Sequence, residues 1–315
     1  MKRARLIYNP SSGREHVKKY LPYILETLEK AGYEASAHAT TGKNCATRAS
    51  RAACDRQFDL IVAAGGDGTI NEVVQGMVNQ PHRPALGILP GGTTNDFARA
   101  LNLPKSIPDA CKVIVDGRRV TADVGQVGDS CFINIAAGGT LTELTYEVPS
   151  RLKTMIGQLA YYVKGFEKLP RIKPTAVKIS YDGKVFEGDI MLFLVANTNS
   201  IGGFEKLAPK ATINDGKFDL MILKKTNLAE VVRVVTSALR GEHINDDRVI
   251  YTQAAEIDIQ AGEEMLLNLD GEYGGKLPSR FVNLHRHIDL MLSKEPLACL
   301  GEKDLDDEND RPGNS

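Results

Sequence analysis

The chain has 315 residues, 42% hydrophobic and 25% charged, with a net charge of −1. That length allows one large or two modest domains with a real core, and the even charge balance gives no global pull toward nucleic acid. Its five scattered cysteines lack a CxxC pair and fit reduced thiols, while its longest apolar run, "IMLFLVA" at 190–196, falls far short of the ~20 residues of a membrane span. The expectation is a soluble protein that meets any membrane substrate from the water side.

In chain order, the first 125 residues alternate strand and helix patterns. "RARLIYN" and "YEASAHAT" read as strands, with a helix between them carrying Val17, Tyr20, Leu21, Ile24, Leu25 and Leu28 at helical spacing. Pro22 either kinks that helix or marks its true start. "FDLIVAAGG" and "ALGILPGG" are continuous apolar runs ending in glycine, typical of strands covered on both faces. The alternation implies a parallel, doubly wound sheet with its loops gathered at the strands' carboxyl ends.

After Asp123 the grammar changes. A helical stretch at about 150–169 precedes longer strands, with Asp182-Gly183 a hairpin signal and another turn at 214–216. A single helix at about 228–239 is followed by further strands. This half reads as mainly antiparallel β, a sandwich or distorted barrel. The expected division is 1–125, an α/β domain that 288–300 could complete, and 126–287, a β-sandwich domain. The tail at 302–315, with six carboxylates and one aliphatic residue, reads as disordered.

Three strand-end loops carry chemistry. In "AAGGDGTINEVVQGM" at 63–77, Gly65, Gly66 and Gly68 allow close backbone approach, and a helix expected from about Thr69 aims its amides at the loop. The loop lacks the Lys-Ser/Thr of a Walker A sequence, and Asn71 stands where a dinucleotide fingerprint has its third glycine. Asp67 would repel a phosphate unless a cation sits between them, and nucleotide-bound magnesium is the reconciling partner. The bland alternative is an Asp-Gly turn. "LPGGTTNDFARAL" repeats the grammar, which would bring Asp96 beside Asp67 in one crevice; plain N-capping by Thr94, Asn95 or Asp96 is the alternative. In "LLNLDGEYGGKLP", Asp270 and Glu272 project to the same face if the segment is extended, suiting metal holding and proton removal. A β-turn with solvated acids is the alternative. His285 and His287 are expected on one strand face, a pair without a third metal ligand.

"IYNPSSG", "GGDGTINEV", "PGGTTNDFARAL" and "LDGEYGG" together resemble the soluble bacterial diacylglycerol kinases, within the lipid-kinase superfamily of sphingosine and ceramide kinases. The resemblance covers the chain to about Leu292, and "GGFEKLAP" and "RGEH" point toward the Gram-positive enzymes. One departure is Ser11 after Pro10, where a threonine is frequent. The resemblance implies an N-terminal nucleotide domain, a C-terminal lipid-binding sandwich and a catalytic cleft between them. Nucleotide-site residues would be Asn9, Pro10, Ser11, Ser12, Gly13, Thr40, Gly66, Asp67, Gly68, Thr69, Ile70, Asn71, Glu72 and Thr93. Asp67, Asp96, Asp123 and Asp270 would organise magnesium, partly through water, and Glu272 would be the general base. A second, structural magnesium is implied at Asp215 with the backbone of Thr212 and Lys217, although Asn-Asp-Gly is first of all a hairpin turn.

The implied reaction is ATP-dependent phosphorylation of diacylglycerol to phosphatidic acid, recycling diacylglycerol in phospholipid or lipoteichoic acid metabolism. Other lipid alcohols (a sphingoid base, a monoacylglycerol) stay open as acceptors, and so does a nucleotide-sensing protein without catalysis. Implied partners are ATP, diacylglycerol and an anionic membrane surface, with a homodimer as an option and no nucleic acid. The implied location is cytoplasmic, peripheral to the inner face of the cell membrane. Between 151 and 184, eight basic residues against two acids, interleaved with Tyr161, Tyr162 and Phe166, suit such a surface; a core-facing aromatic stripe under a solvated basic face is the alternative. Arg14 is a weaker candidate for the same surface.

Overall fold

The computed structural model describes residues 1–139, 173–199, 206–295, 297, 299 and 300. The expected helix at 150–169, its aromatic residues, the basic residues up to Arg171, the acidic tail and the side chain of Arg14 lie outside the described residues.

In the first half, β1 (Lys2–Tyr8) leads through α1 (His16–Lys19) and α2 (Leu21–Lys30) to β2 (Tyr33–Ala39) and α3 (Cys45–Asp55). Then come β3 (Leu60–Gly65), α4 (Asp67–Met77), β4 (Ala85–Pro90), α5 (Asp96–Ala100) and α6 (Ile107–Asp116). Pro22 marks a start rather than a kink, sitting in the first turn of α2 where its missing N–H costs nothing. The strands run parallel in the order β2-β1-β3-β4. Their unbroken apolar runs reflect burial on both faces. Leu60, Val62 and Ala64 pack toward α2 and α6, while Ile61 and Ala63 pack toward α3 and α4.

The second half comprises β5 (Arg118–Val127), β6 (Ser130–Phe132), β7 (Ile135–Gly138), β8 (Thr175–Tyr181), β9 (Lys184–Ala196) and β10 (Phe218–Lys224). α7 (Leu228–Ala238), β11 (Val249–Ala254), β12 (Glu256–Ala261), β13 (Leu266–Leu269), β14 (Glu272–Lys276) and β15 (Ser279–Leu292) complete it. Pairing here is antiparallel. The Asp182-Gly183 turn joins β8 to β9 with both residues at positive φ, as a two-residue hairpin demands. Inward-facing Phe132, Phe193, Phe218 and Phe281 fill a third core, distinct from the two that sandwich the parallel sheet. α7 covers Met191, Met221 and Leu223 on the outer face of β9 and β10.

β15 ties the halves together. Its first residues pair with β12, its length pairs with β5, and Leu290 meets Leu86 of β4 in parallel register. Beyond it, Leu297, Cys299 and Leu300 are buried in the core under α3 and α4. The ladder breaks between Leu284 and Ile288, with Arg286 at φ 49°. This bulge corrects the expectation for His285 and His287. They do not share a regular face: His285 Nδ1 lies 3.0 Å from Asp123 Oδ1, and His287 Nε2 contacts the Val78 carbonyl.

Candidate active site

The carboxyl ends of β1, β3 and β4 carry loops that interlock through backbone. Asn9 Oδ1, at the end of β1, accepts from the Ser11 amide (3.0 Å) and hydroxyl (2.8 Å), folding Pro10 into a tight turn. Ser12 Oγ donates to the Gly91 carbonyl at 2.6 Å. Gly13 sits at φ 55°, and a Cβ there would lie 2.4 Å from the same carbonyl, so only glycine fits. The Gly91 amide donates to Gly65 O at 2.8 Å, and a Cβ on Gly92 would come within 2.6 Å of Gly66 Cα. Asn95, left-handed at φ 49°, clamps Gly92 from both sides: its Oδ1 accepts from Gly92 N and its Nδ2 donates to Gly92 O. Thr40 is tied to the end of β1 through its amide, which donates to Tyr8 O. Thr93 is exposed at the loop tip.

α4 starts two residues earlier than expected, at Asp67, with Gly66 as its N-cap. Asp67 Oδ1 accepts the amide of Phe97 in the first turn of α5 at 3.1 Å, which joins the start of α4 to the helix that follows the second loop. Asp96, beside Phe97, lies 3.5 Å from Arg99, whose other amino group donates to Thr94 O. One turn along α4, Asn71 Nδ2 donates to Asp270 Oδ2 at 2.8 Å. Helix α4 of the first half therefore touches both α5 and the β13–β14 hairpin of the other half, so the three loop segments are tied to one helix.

Several expected residues are arranged differently. Asp270 and Glu272 do not lie on an extended segment. Leu269 pairs with Glu272, and Asp270 (φ 50°) and Gly271 (φ 93°) form the two-residue turn between them. Nor is Asp270 solvated. Its carboxylate accepts from Ile133 N (2.7 Å), Asn134 N (2.9 Å), Ile135 N (2.8 Å) and Asn71. Burial pushes it up to about 6, against the pull of those donors. Glu272, by contrast, is exposed at the start of β14. The Glu72 carboxylate turns away from the glycine loop and receives the Asn44 and Ala46 amides, holding the N-terminus of α3. Ile70 is fully buried, so its side chain belongs to the core.

Asp123 is buried in β5 and its oxygens are taken by Gly216 N, Arg286 N and His285. Burial raises it, opposed by those donors. None of these partners belongs to the glycine loops. Asn197 connects it to the β13–β14 turn, with Nδ2 donating to the carbonyls of Asp123 and Ile133, and Ile133 in turn bonding Asp270. Asp215, expected with Thr212 and Lys217 at a structural metal, is exposed and accepts the Lys217 amide at 3.0 Å. Thr212 Oγ1 is buried with no hydrogen-bond partner. Among the described residues, no group of three or more His, Cys, Asp and Glu gathers around a point that could hold a metal on protein ligands alone.

Sequence reasoning missed Asn197 altogether, and the roles of Asn95 and His285. The only signal was polar side chains at strand ends or in a loop, and Asn95 was visible merely as an N-cap. His243, in "RGEH", is buried and bonds the Leu207 carbonyl at 2.9 Å, a packing role.

Residues 3–127 match the diacylglycerol kinase catalytic domain family, and residues 142–292 match the YegS C-terminal NAD kinase beta sandwich-like domain. A diacylglycerol kinase of Bacillus subtilis (strain 168) is 62% identical over 303 residues, covering 96% of this chain and all of the relative. One from Staphylococcus haemolyticus is 53% identical, covering 93% of this chain and 88% of the relative. A crystal structure of a diacylglycerol kinase from Bacillus anthracis str. Sterne superposes with a TM-score of 0.78 at 28% identity, over 93% of this chain and 98% of that one. By sequence along nearly its whole length and by fold, the chain belongs to the diacylglycerol kinase family.

Proposed function

We propose that this protein transfers the γ-phosphoryl group of ATP to the free hydroxyl of diacylglycerol at a membrane surface. The observation that carries the reading is the pair of contacts made by α4, Phe97 N to Asp67 and Asn71 to Asp270, which tie acids of both halves to one helix; in this reading the strand-end loops around it border the catalytic crevice.

Phosphoryl transfer rests on alignment and charge neutralisation more than on covalent chemistry. In this reading the interlocked backbone of 9–13, 65–69 and 91–93 receives the triphosphate, with the N-terminal amides of α4 facing it. Gly68 supports that role. A Cβ there would meet nothing within 4 Å, so no neighbouring protein atom demands a glycine, and the clearance suits a ligand. Asp67 and Asp96 offer hard carboxylate oxygens that fit magnesium, which shares its shell with phosphate and water and needs few protein ligands. Bound magnesium would neutralise the β- and γ-phosphate charge. Asp270 and Asp123, saturated by amide donors, instead hold the hairpin and the 214–217 turn in place. Asp215, with the backbone carbonyls of Thr212 and Lys217, would hold a second, structural magnesium.

Glu272, exposed one residue beyond the Asp270-Gly271 turn, accepts the proton of the acceptor hydroxyl. That oxygen bonds to the γ-phosphorus, the bridging P–O bond breaks, and ADP leaves with the electron pair. The lipid would be met at a membrane face. Among the described residues, exposed Lys178 and Lys184 are available for anionic headgroups, and no helix is long and apolar enough to cross a bilayer. Recycling of diacylglycerol in envelope lipid metabolism is the setting this reading suits. Radiolabelled ATP supplied with mixed micelles of diacylglycerol or sphingosine, with and without magnesium, tests it. Labelled phosphatidic acid formed only with magnesium is expected, and preferential labelling of sphingosine would reject diacylglycerol as the acceptor.

A further inference from the structure

A cavity of about 320 Å³ opens on the flank of the parallel sheet, lined from β1, β2 and α3. Phe58 and alanines of α3 supply its apolar lining; Arg5, His38, Cys45, Arg48 and Arg56 supply the polar one. No carboxylate lines it. Among the described residues, none of the Arg5, Arg48 and Arg56 guanidiniums has an ion-pair or side-chain hydrogen-bond partner. Acids slightly outnumber bases in this chain, 40 to 39, so three unneutralised guanidiniums around one hollow are not a by-product of overall charge.

Arginine is the side chain suited to gripping planar or tetrahedral oxyanions with paired N–H groups. Here the cations face each other instead: burial and the charge of Arg56 hold Arg5 below its ordinary value. Arg3 braces the rim, with its guanidinium 4.2 Å above the Phe58 ring and a bond of 3.1 Å to the Arg56 carbonyl. His38 and Cys45 are in mutual contact at 3.3 Å, and Thr41 adds a hydroxyl to the sulfur. The hollow shares no residue with the strand-end crevice, and its occupant need not be a substrate.

The geometry points to a second anion site, built for a phosphomonoester or similar small dianion, with the guanidiniums as its ligands and the Phe58–alanine wall to hold whatever apolar group the dianion carries. Free phosphate and the headgroup of phosphatidic acid share that chemistry. Because Glu72 of α4 holds the N-terminus of α3, an occupant of this hollow would brace the helix pair that backs the glycine loop.

The test is calorimetric titration of inorganic phosphate, at fixed ionic strength, into the wild type and an R48Q/R56Q variant. Both positions lie on or beside α3, and R48Q alone serves if the double variant melts early. The expected result is saturable binding to the wild type that weakens at least about tenfold in the variant, as loss of charge-assisted contacts predicts. A parallel titration with short-chain phosphatidic acid below its micelle threshold separates the sources. Tighter binding than phosphate, lost in the variant, assigns a headgroup; equal binding, lost in the variant, assigns the free ion. Absence of binding to the wild type, or equal binding to wild type and variant, overturns the assignment; the latter would put the anion in the strand-end crevice.

Discussion

Replacing Gly68 by alanine separates what the fold needs at the start of α4 from what a ligand needs. Gly68 is the second residue of the helix, its φ is not positive, and an added Cβ would meet no atom within 4 Å. The folded protein should therefore welcome the substitution, because alanine gives up less backbone entropy than glycine in a helix. The gain is about 0.5–1 kcal/mol, or about 1–4 °C in Tm for a domain of this size. The same methyl intrudes where a phosphate would rest. Overpacking of about 1–3 kcal/mol translates to a roughly 5- to 150-fold weaker ATP Kd. Scanning calorimetry without nucleotide and isothermal titration with ATP measure the two effects separately. A raised Tm with unchanged ATP affinity would refute the phosphate seat, and a lowered Tm would refute the open geometry itself.

Glu272→Gln should leave ATP binding intact and lower kcat by about 10²–10⁴; near-normal turnover would eliminate Glu272 as the base. Asp270→Asn turns one acceptor oxygen into a donor, stranding two of the four N–H groups that converge there. At about 1–3 kcal/mol per stranded donor, urea unfolding should show a loss of about 2–6 kcal/mol, tempered by relief of the buried charge; a variant as stable as wild type would mean these contacts do not form. His243 is buried and burial holds its imidazole below the ordinary value. The unfolded chain therefore takes up the proton first, so stability from this group is full above about pH 6.5 and falls as pH drops below that. Unfolding midpoints at pH 7.5, 6 and 5 should decline less steeply in His243→Gln, and parallel slopes would count against the burial argument.

What the chain disclosed about itself depended on range. β3 and β4 were readable because burial on both faces writes itself as an uninterrupted apolar run, and Asp182-Gly183 because a two-residue turn has a local code. Asp270-Gly271 carries the same code, yet the neighbouring acids invited an extended reading. The ring of amides from 133–135 that fixes the turn is remote in sequence and leaves no local trace. Glu72 looked like part of the glycine loop because it follows it on the same helix. Its position one turn farther along sends it to α3 instead. The bulge at 285–287 was invisible for another reason: β15 stays paired with β5 on both sides of it while its other edge passes from β12 to β4, and nothing in "NLHRHID" marks that change. Asp123 illustrates the same limit, a buried acid whose donors lie about 90 and 160 residues downstream.

The long strand β15 has a mechanical corollary. Because one backbone runs from the sandwich into the edge of the parallel sheet, hydrogen-bonded on the way to β12, β5 and β4, the two halves are laced together by a ladder and not merely by a flexible tether. Any clamshell opening is confined to flexing at the 285–287 break in that ladder. On the proposed function, entry and exit of reactants would fall to loop adjustments at the crevice mouth, and heat or denaturant should dismantle both halves in a single concerted melt.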